Sequence, residues 1–121
     1  MNVVDSSGWL EYFADTDRAD LFAEAIEDSD NLVVPSICVY EVYKKVLREK
    51  GDDLATQVFS LMSLGRIIDL DSSIARDAAR HSLPLADSII YSTALRFNAT
   101  LWTQDNHFEL ISGVKYFRKI K

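Results

Sequence analysis

The sequence has one cysteine, Cys38, and two histidines, His81 and His107. A single thiol forms no internal disulfide, and these three residues make no cluster with zinc-ligand spacing. Cys38 reads as a small buried apolar residue, since nothing nearby in sequence would activate it. The four glycines, Gly8, Gly51, Gly65 and Gly113, are too scattered to build a phosphate-cradling loop. Prolines occur only at Pro35 and Pro84, no stretch is rich in Gly, Pro or Ser, and no unit of roughly 20 to 50 residues repeats. Linkers and solenoids are therefore not expected. No apolar run approaches the ~20 residues of a membrane helix, and Met1-Asn2-Val3-Val4-Asp5 lacks a basic segment followed by an apolar one. The expectation is a cytoplasmic protein without a membrane partner.

What is present fits a single domain over residues 1–121, with 48% hydrophobic residues for a core that needs neither disulfide nor structural metal. Nineteen Asp and Glu against thirteen Lys and Arg give a net charge of −6. That balance excludes a protein that binds nucleic acid merely by coating phosphates with positive charge. It leaves open a site of carboxylates holding divalent cations, which meet the phosphates that bare acids repel. Lys115, Arg118, Lys119 and Lys121 gather at the C-terminus, so the remainder is more acidic than the average.

Short β-branched runs alternate with segments of helical periodicity, the pattern of a parallel sheet covered by helices. Strands are expected at Asn2 to Val4, Leu32 to Val34, Arg66 to Leu70, Thr100 to Thr103 and Val114 to Phe117. Helices are expected after Ser6 or Ser7 as cap, over about Arg18 to Asp28, from Ser36 as cap to Gly51, from Asp52 or Asp53 to Gly65, from Asp71 or Ser72 to His81, and over Ala86 to Phe97. A short helical turn is expected near Phe108 to Ile111, and the last basic residues are expected to fray. The fold class is α/β, with five short strands.

Ligands of an open parallel sheet bind outside the carboxyl ends of its strands. Asp5 ends the first strand and Asp105 follows the fourth, while Glu41 and Asp87 lie in the first turns of helices that follow Pro35 and Pro84. Each acid also has a structural explanation: Asp5 as a helix cap, Asp87 against a helix dipole, Glu41 paired with Lys45, Asp105 as a turn residue. Four carboxylates mapping to one edge would repel one another, a cost tolerated when a cation sits between them. Oxygen ligands without sulfur or paired histidines select hard cations, Mg²⁺ or Mn²⁺. Such a centre suits attack of water on a phosphodiester.

These residues carry a resemblance over essentially the whole chain. Val3-Val4-Asp5-Ser6-Ser7, Glu41 after Val34-Pro35-Ser36, Leu85-Ala86-Asp87-Ser88-Ile89-Ile90-Tyr91-Ser92-Thr93-Ala94 and Thr103-Gln104-Asp105-Asn106-His107-Phe108 resemble a PIN-domain ribonuclease of the small VapC-like toxin type. The resemblance implies a three-layer α/β/α arrangement around a five-stranded parallel sheet. It also implies a catalytic Mg²⁺ or Mn²⁺ site on Asp5, Glu41, Asp87 and Asp105, an RNA substrate, a cognate antitoxin and a homodimer. Thr103 matches the hydroxyl residue that supports the last acid, and Ser6 or Ser7 is placed to act similarly beside Asp5. At His107 many relatives carry a further acid. His107 therefore reads either as a contact to substrate or water, or as a solvated side chain.

Two other functions compete with the ribonuclease. Asp5 after the first strand also suits phosphoryl transfer through an aspartyl-phosphate, although Ser7 stands where a second acid would be wanted. A catalytically silent binding module is the other. Trp9, Tyr12, Phe13, Tyr40 and Tyr43 read as core, with an exposed groove for a partner helix as the alternative. Lys44, Lys45 and Arg48 and the C-terminal basic residues either guide RNA toward the acids or form a solvated face.

Overall fold

Each β-branched run becomes a strand of three or four residues, and each periodic segment becomes a helix that closes over it. The computed structural model describes residues 1–119. In chain order these are β1 (Asn2–Val4), α1 (Ser6–Ala14), α2 (Ala19–Glu27), β2 (Val33–Pro35), α3 (Ser36–Lys50), α4 (Asp52–Met62), β3 (Arg66–Ile68), α5 (Ser72–Ala78), α6 (Leu85–Arg96), β4 (Thr100–Thr103) and β5 (Val114–Tyr116). Short 3-10 turns lie at Ser29–Asn31 and Asn106–Phe108. No helix among the described residues is long and apolar enough to cross a membrane. Lys121, and with it part of the expected fraying, lies outside the described residues.

All the strand pairings are parallel, but the five strands do not form one continuous sheet. β1, β4 and β5 form a three-stranded sheet in the order β1-β4-β5, and β2 pairs only with β3. A single bridge between Asn2 and Leu32 joins the two. The cause is local. Pro35 at the end of β2 has no N–H to donate. The Val4 carbonyl at the end of β1 meets Cys38 Sγ, 3.8 Å away at the start of α3, instead of a strand amide. With strands this short, one lost rung is a third of the ladder.

Val3 and Val4, Val33 and Val34, and Leu101 and Trp102 are consecutive and all buried. Successive side chains point to opposite faces, so both faces of the central strands are covered, as a sheet between two helical layers requires. Trp9 is buried, Tyr12, Phe13 and Tyr43 are half-buried, and Tyr40 is exposed, so the aromatic set is mostly core.

Several helix starts differ from expectation. Asp5, not Ser6 or Ser7, caps α1. Ser36 is the first residue of α3 rather than its cap, because Pro35 holds the cap position, and its hydroxyl accepts from Leu70 N at 3.3 Å. The helix after Asp71 stops at Ala78 rather than His81, and the last helical turn begins two residues earlier than expected, at Asn106.

Candidate metal centre

The chain leaves β1 at Val4 and turns into α1 through Asp5, whose extended backbone suits a cap (φ −72°, ψ 170°). Its Oδ1 accepts from Gly8 N at 3.1 Å and from Ser7 Oγ at 2.8 Å, and its Oδ2 accepts from Thr103 Oγ1 at 2.5 Å. Asp5 N donates to Trp102 O at 3.1 Å, which continues the β1–β4 pairing and brings Asp5 beside Thr103. Burial pushes the Asp5 carboxyl above its ordinary value, against the three hydrogen bonds that favour the ionised form. The side chain is held in place on the sheet edge with its charge only partly compensated.

Asp105 is fastened to the same point, since its backbone N–H donates to Thr103 Oγ1 at 3.0 Å. It caps the turn Asn106–Phe108, accepting from His107 N at 2.9 Å, and buried Phe108 anchors that turn in the core. Asp87 sits in the first turn of α6. Burial and then the neighbouring Asp105 charge push its carboxyl up to about 6. Glu41 projects from α3, and its Oε1 accepts from Ser6 Oγ at 2.6 Å.

The expected acids therefore come together. Asp5, Glu41, Asp87 and Asp105 line one open cleft of about 490 Å³, with Ser6, Ser7, Lys44, Lys45 and Arg48 around it. Among the described residues, the ligand-type atoms of Asp87, Asp105 and His107 all lie within 4.8 Å of one another, so the imidazole stands beside two of the acids that line the cleft. The two serines divide their work: Ser7 holds Asp5, whereas Ser6 holds Glu41. Arg118 and Lys119 lie elsewhere, with Arg18, around a hollow of about 730 Å³.

His107 is exposed but not alone. Its Nδ1 lies 2.8 Å from Asp105 Oδ1 and 3.0 Å from Asp87 Oδ2, and the Asp105 hydrogen bond raises its pKa above the ordinary 6.5. Sequence reasoning left its role undecided because the spacing from Asp105 does not show that the side chain folds back across the turn. Chemically, the cleft presents crowded oxygen donors, with one nitrogen against two of them, a set suited to an octahedral divalent cation. Burial, and after it the Asp105 charge, raises the carboxyls of Asp5 and Asp87, a cost that a cation would relieve.

The sequence matches the PIN domain family over residues 3–114. No curated protein matches it. Among solved structures, a toxin–antitoxin complex from Klebsiella pneumoniae is similar with a TM-score of 0.80 at 21% identity, covering 95% of this chain and 96% of that one. The VapBC2 complex of Rickettsia felis, bound to a DNA fragment from its promoter, has a TM-score of 0.73 at 17% identity, covering 95% and 97%. The Mycobacterium tuberculosis toxin VapC20, which cleaves the Sarcin-Ricin loop, has a TM-score of 0.74 at 14% identity, covering 93% and 95%. At these identities the structural likeness establishes a shared fold.

Proposed function

The chain belongs to the PIN domain family, and from that premise we propose that it is a metal-dependent endoribonuclease, hydrolysing RNA phosphodiester bonds as the toxin of a toxin–antitoxin pair. One observation carries the reading: Asp5, Glu41, Asp87 and Asp105, brought from four separate segments, line a single cleft. The Mycobacterium relative is a loop-cleaving toxin, which supports the nuclease activity, and the Klebsiella and Rickettsia structures support an antitoxin partner. A homodimer belongs to the same proposal.

The residues that would hold Mg²⁺ or Mn²⁺ are those four acids. When bound, the cation supplies activation of a water and neutralises charge at the phosphate. The rest is the work of the chain. Thr103, Ser7 and the Gly8 amide fix Asp5, and Ser6 fixes Glu41. Lys44, Lys45 and Arg48 on one wall of the cleft attract the phosphates of an RNA that the net charge would otherwise repel. The aspartyl-phosphate route is disfavoured because Asp5 is buried and both its oxygens already accept hydrogen bonds.

Cleavage of RNA with Mg²⁺ or Mn²⁺, its loss in EDTA, and its loss in folded Asp5→Asn and Asp87→Asn variants are the expected results. Undiminished cutting in chelator would reject the metal mechanism. Co-purification with a partner protein that blocks cutting tests the toxin reading.

A further inference from the structure

We propose that His107 Nδ1 is itself a metal ligand, so that the centre is a mixed nitrogen and oxygen site favouring Mn²⁺ over Mg²⁺. The proposal rests on the metal-dependent reading above and adds to it a residue and a selectivity.

The geometry of the turn makes the case. Asp105 Oδ1 accepts the His107 backbone N–H at 2.9 Å, and Phe108 is fully buried, so the turn is fixed at both ends. The imidazole folds back over it and places Nδ1 at 2.8 Å from Asp105 Oδ1 and 3.0 Å from Asp87 Oδ2. Adjacent ligands of an octahedral ion with bonds of about 2.1 Å stand about 3.0 Å apart. The nitrogen already stands at about that spacing from each of the two carboxylates. Among the described residues, no Lys or Arg forms an ion pair with Asp87 or Asp105, and the imidazole is the basic side chain that stands against both.

The selectivity follows from the donor atom. Mg²⁺ prefers oxygen ligands and gives up its waters reluctantly, whereas Mn²⁺ and the later transition ions gain more from an imidazole nitrogen. An acid in place of His107 would supply a further oxygen and suit Mg²⁺ better.

Pulsed EPR of Mn²⁺ bound to the intact protein tests this directly. The expected spectrum shows modulation from one imidazole nitrogen, lost in His107→Gln and His107→Asp. The source is unambiguous, because the other histidine, His81, packs against Tyr91 outside the cleft. Competition of Mn²⁺ with Mg²⁺, read by calorimetry, should show the Mn²⁺ preference falling about tenfold or more in both variants. His107 is an exposed turn residue whose backbone makes the capping bond, so both variants should fold. Bound Mn²⁺ without nitrogen modulation, or modulation that survives in His107→Gln, overturns the role of His107 while leaving the metal centre standing. Failure of the wild-type protein to bind Mn²⁺ at millimolar concentration overturns the metal reading itself, and the ligand proposal with it.

Discussion

Thr103 Oγ1 donates its hydrogen to Asp5 Oδ2 at 2.5 Å and itself accepts the Asp105 backbone N–H at 3.0 Å. One fully buried side chain thus couples the ends of β1 and β4. Thr103→Val keeps the shape but strands a buried carboxylate oxygen and a backbone N–H. Each unsatisfied group costs about 1–3 kcal/mol. We expect Thr103→Val to lower unfolding stability by a few kcal/mol and Mn²⁺ affinity by roughly 10–100-fold, with Thr103→Ser restoring most of both. Denaturant titration and calorimetry check this. Wild-type affinity in Thr103→Val would mean that Asp5 needs no such support.

The burial of Asp87, with the Asp105 charge beside it, gives a pH dependence with a definite sign. Folding raises its pKa from the ordinary 3.8 to about 6, so the folded chain holds this proton more tightly than the unfolded one. Its contribution to stability is fully present below pH 3.8 and is lost as pH rises through about 6. Asp87→Asn cannot lose it. The melting temperature of the metal-free variant should therefore gain on wild type between about pH 4 and 6–7. Saturating Mn²⁺ should raise the wild-type melting temperature most at the high end of that range and leave the variant nearly unmoved. A constant difference across pH would mean that neither burial nor the Asp105 charge raises Asp87.

The cleft was legible in the sequence because strand ends and post-proline helix starts are local signals, and Asp5, Glu41, Asp87 and Asp105 each sit on one. What decides between Ser6 and Ser7, by contrast, is the direction of two adjacent side chains at the first turn of α1, which spacing does not encode. The break between the two sheets was equally hidden. It follows from the contact between Cys38 Sγ and the Val4 carbonyl and from the missing Pro35 N–H, of which only the second is visible in a sequence. His107 was the largest gap, since its role depends on a side chain turning back over a tight turn.

The basic wall of α3 gives the proposed RNA binding a test separate from that of the proposed metal binding. Lys44 and Arg48 line the cleft without touching Asp87 or Asp105. Lys44→Gln combined with Arg48→Gln should raise KM for RNA and reduce the slope of log affinity against log salt by about 1.4, roughly 0.7 for each lost contact to a single strand. Mn²⁺ affinity should stay at the wild-type level. An unchanged salt slope would assign these side chains to a solvated face.

Gly8 links the core to the site. A Cβ added there would lie 2.7 Å from Val4 Cγ1 and 2.7 Å from Phe22 Cδ1, both in fully buried side chains with little room to move. Alanine in a helix interior gains about 1 kcal/mol over glycine, but Gly8 is in the first turn, where less of that applies. Overpacking costs about 1–3 kcal/mol, so the clash should win. Relief requires α1 to slide away from β1, and that motion draws the Gly8 N–H off Asp5 Oδ1. Gly8→Ala should therefore lower stability by about 1–2 kcal/mol and weaken Mn²⁺ binding together, whereas a core defect remote from the cleft would lower stability alone. Calorimetry below the melting transition separates the two, and undiminished Mn²⁺ affinity in a destabilised Gly8→Ala would show that the Asp5 cap does not depend on this packing.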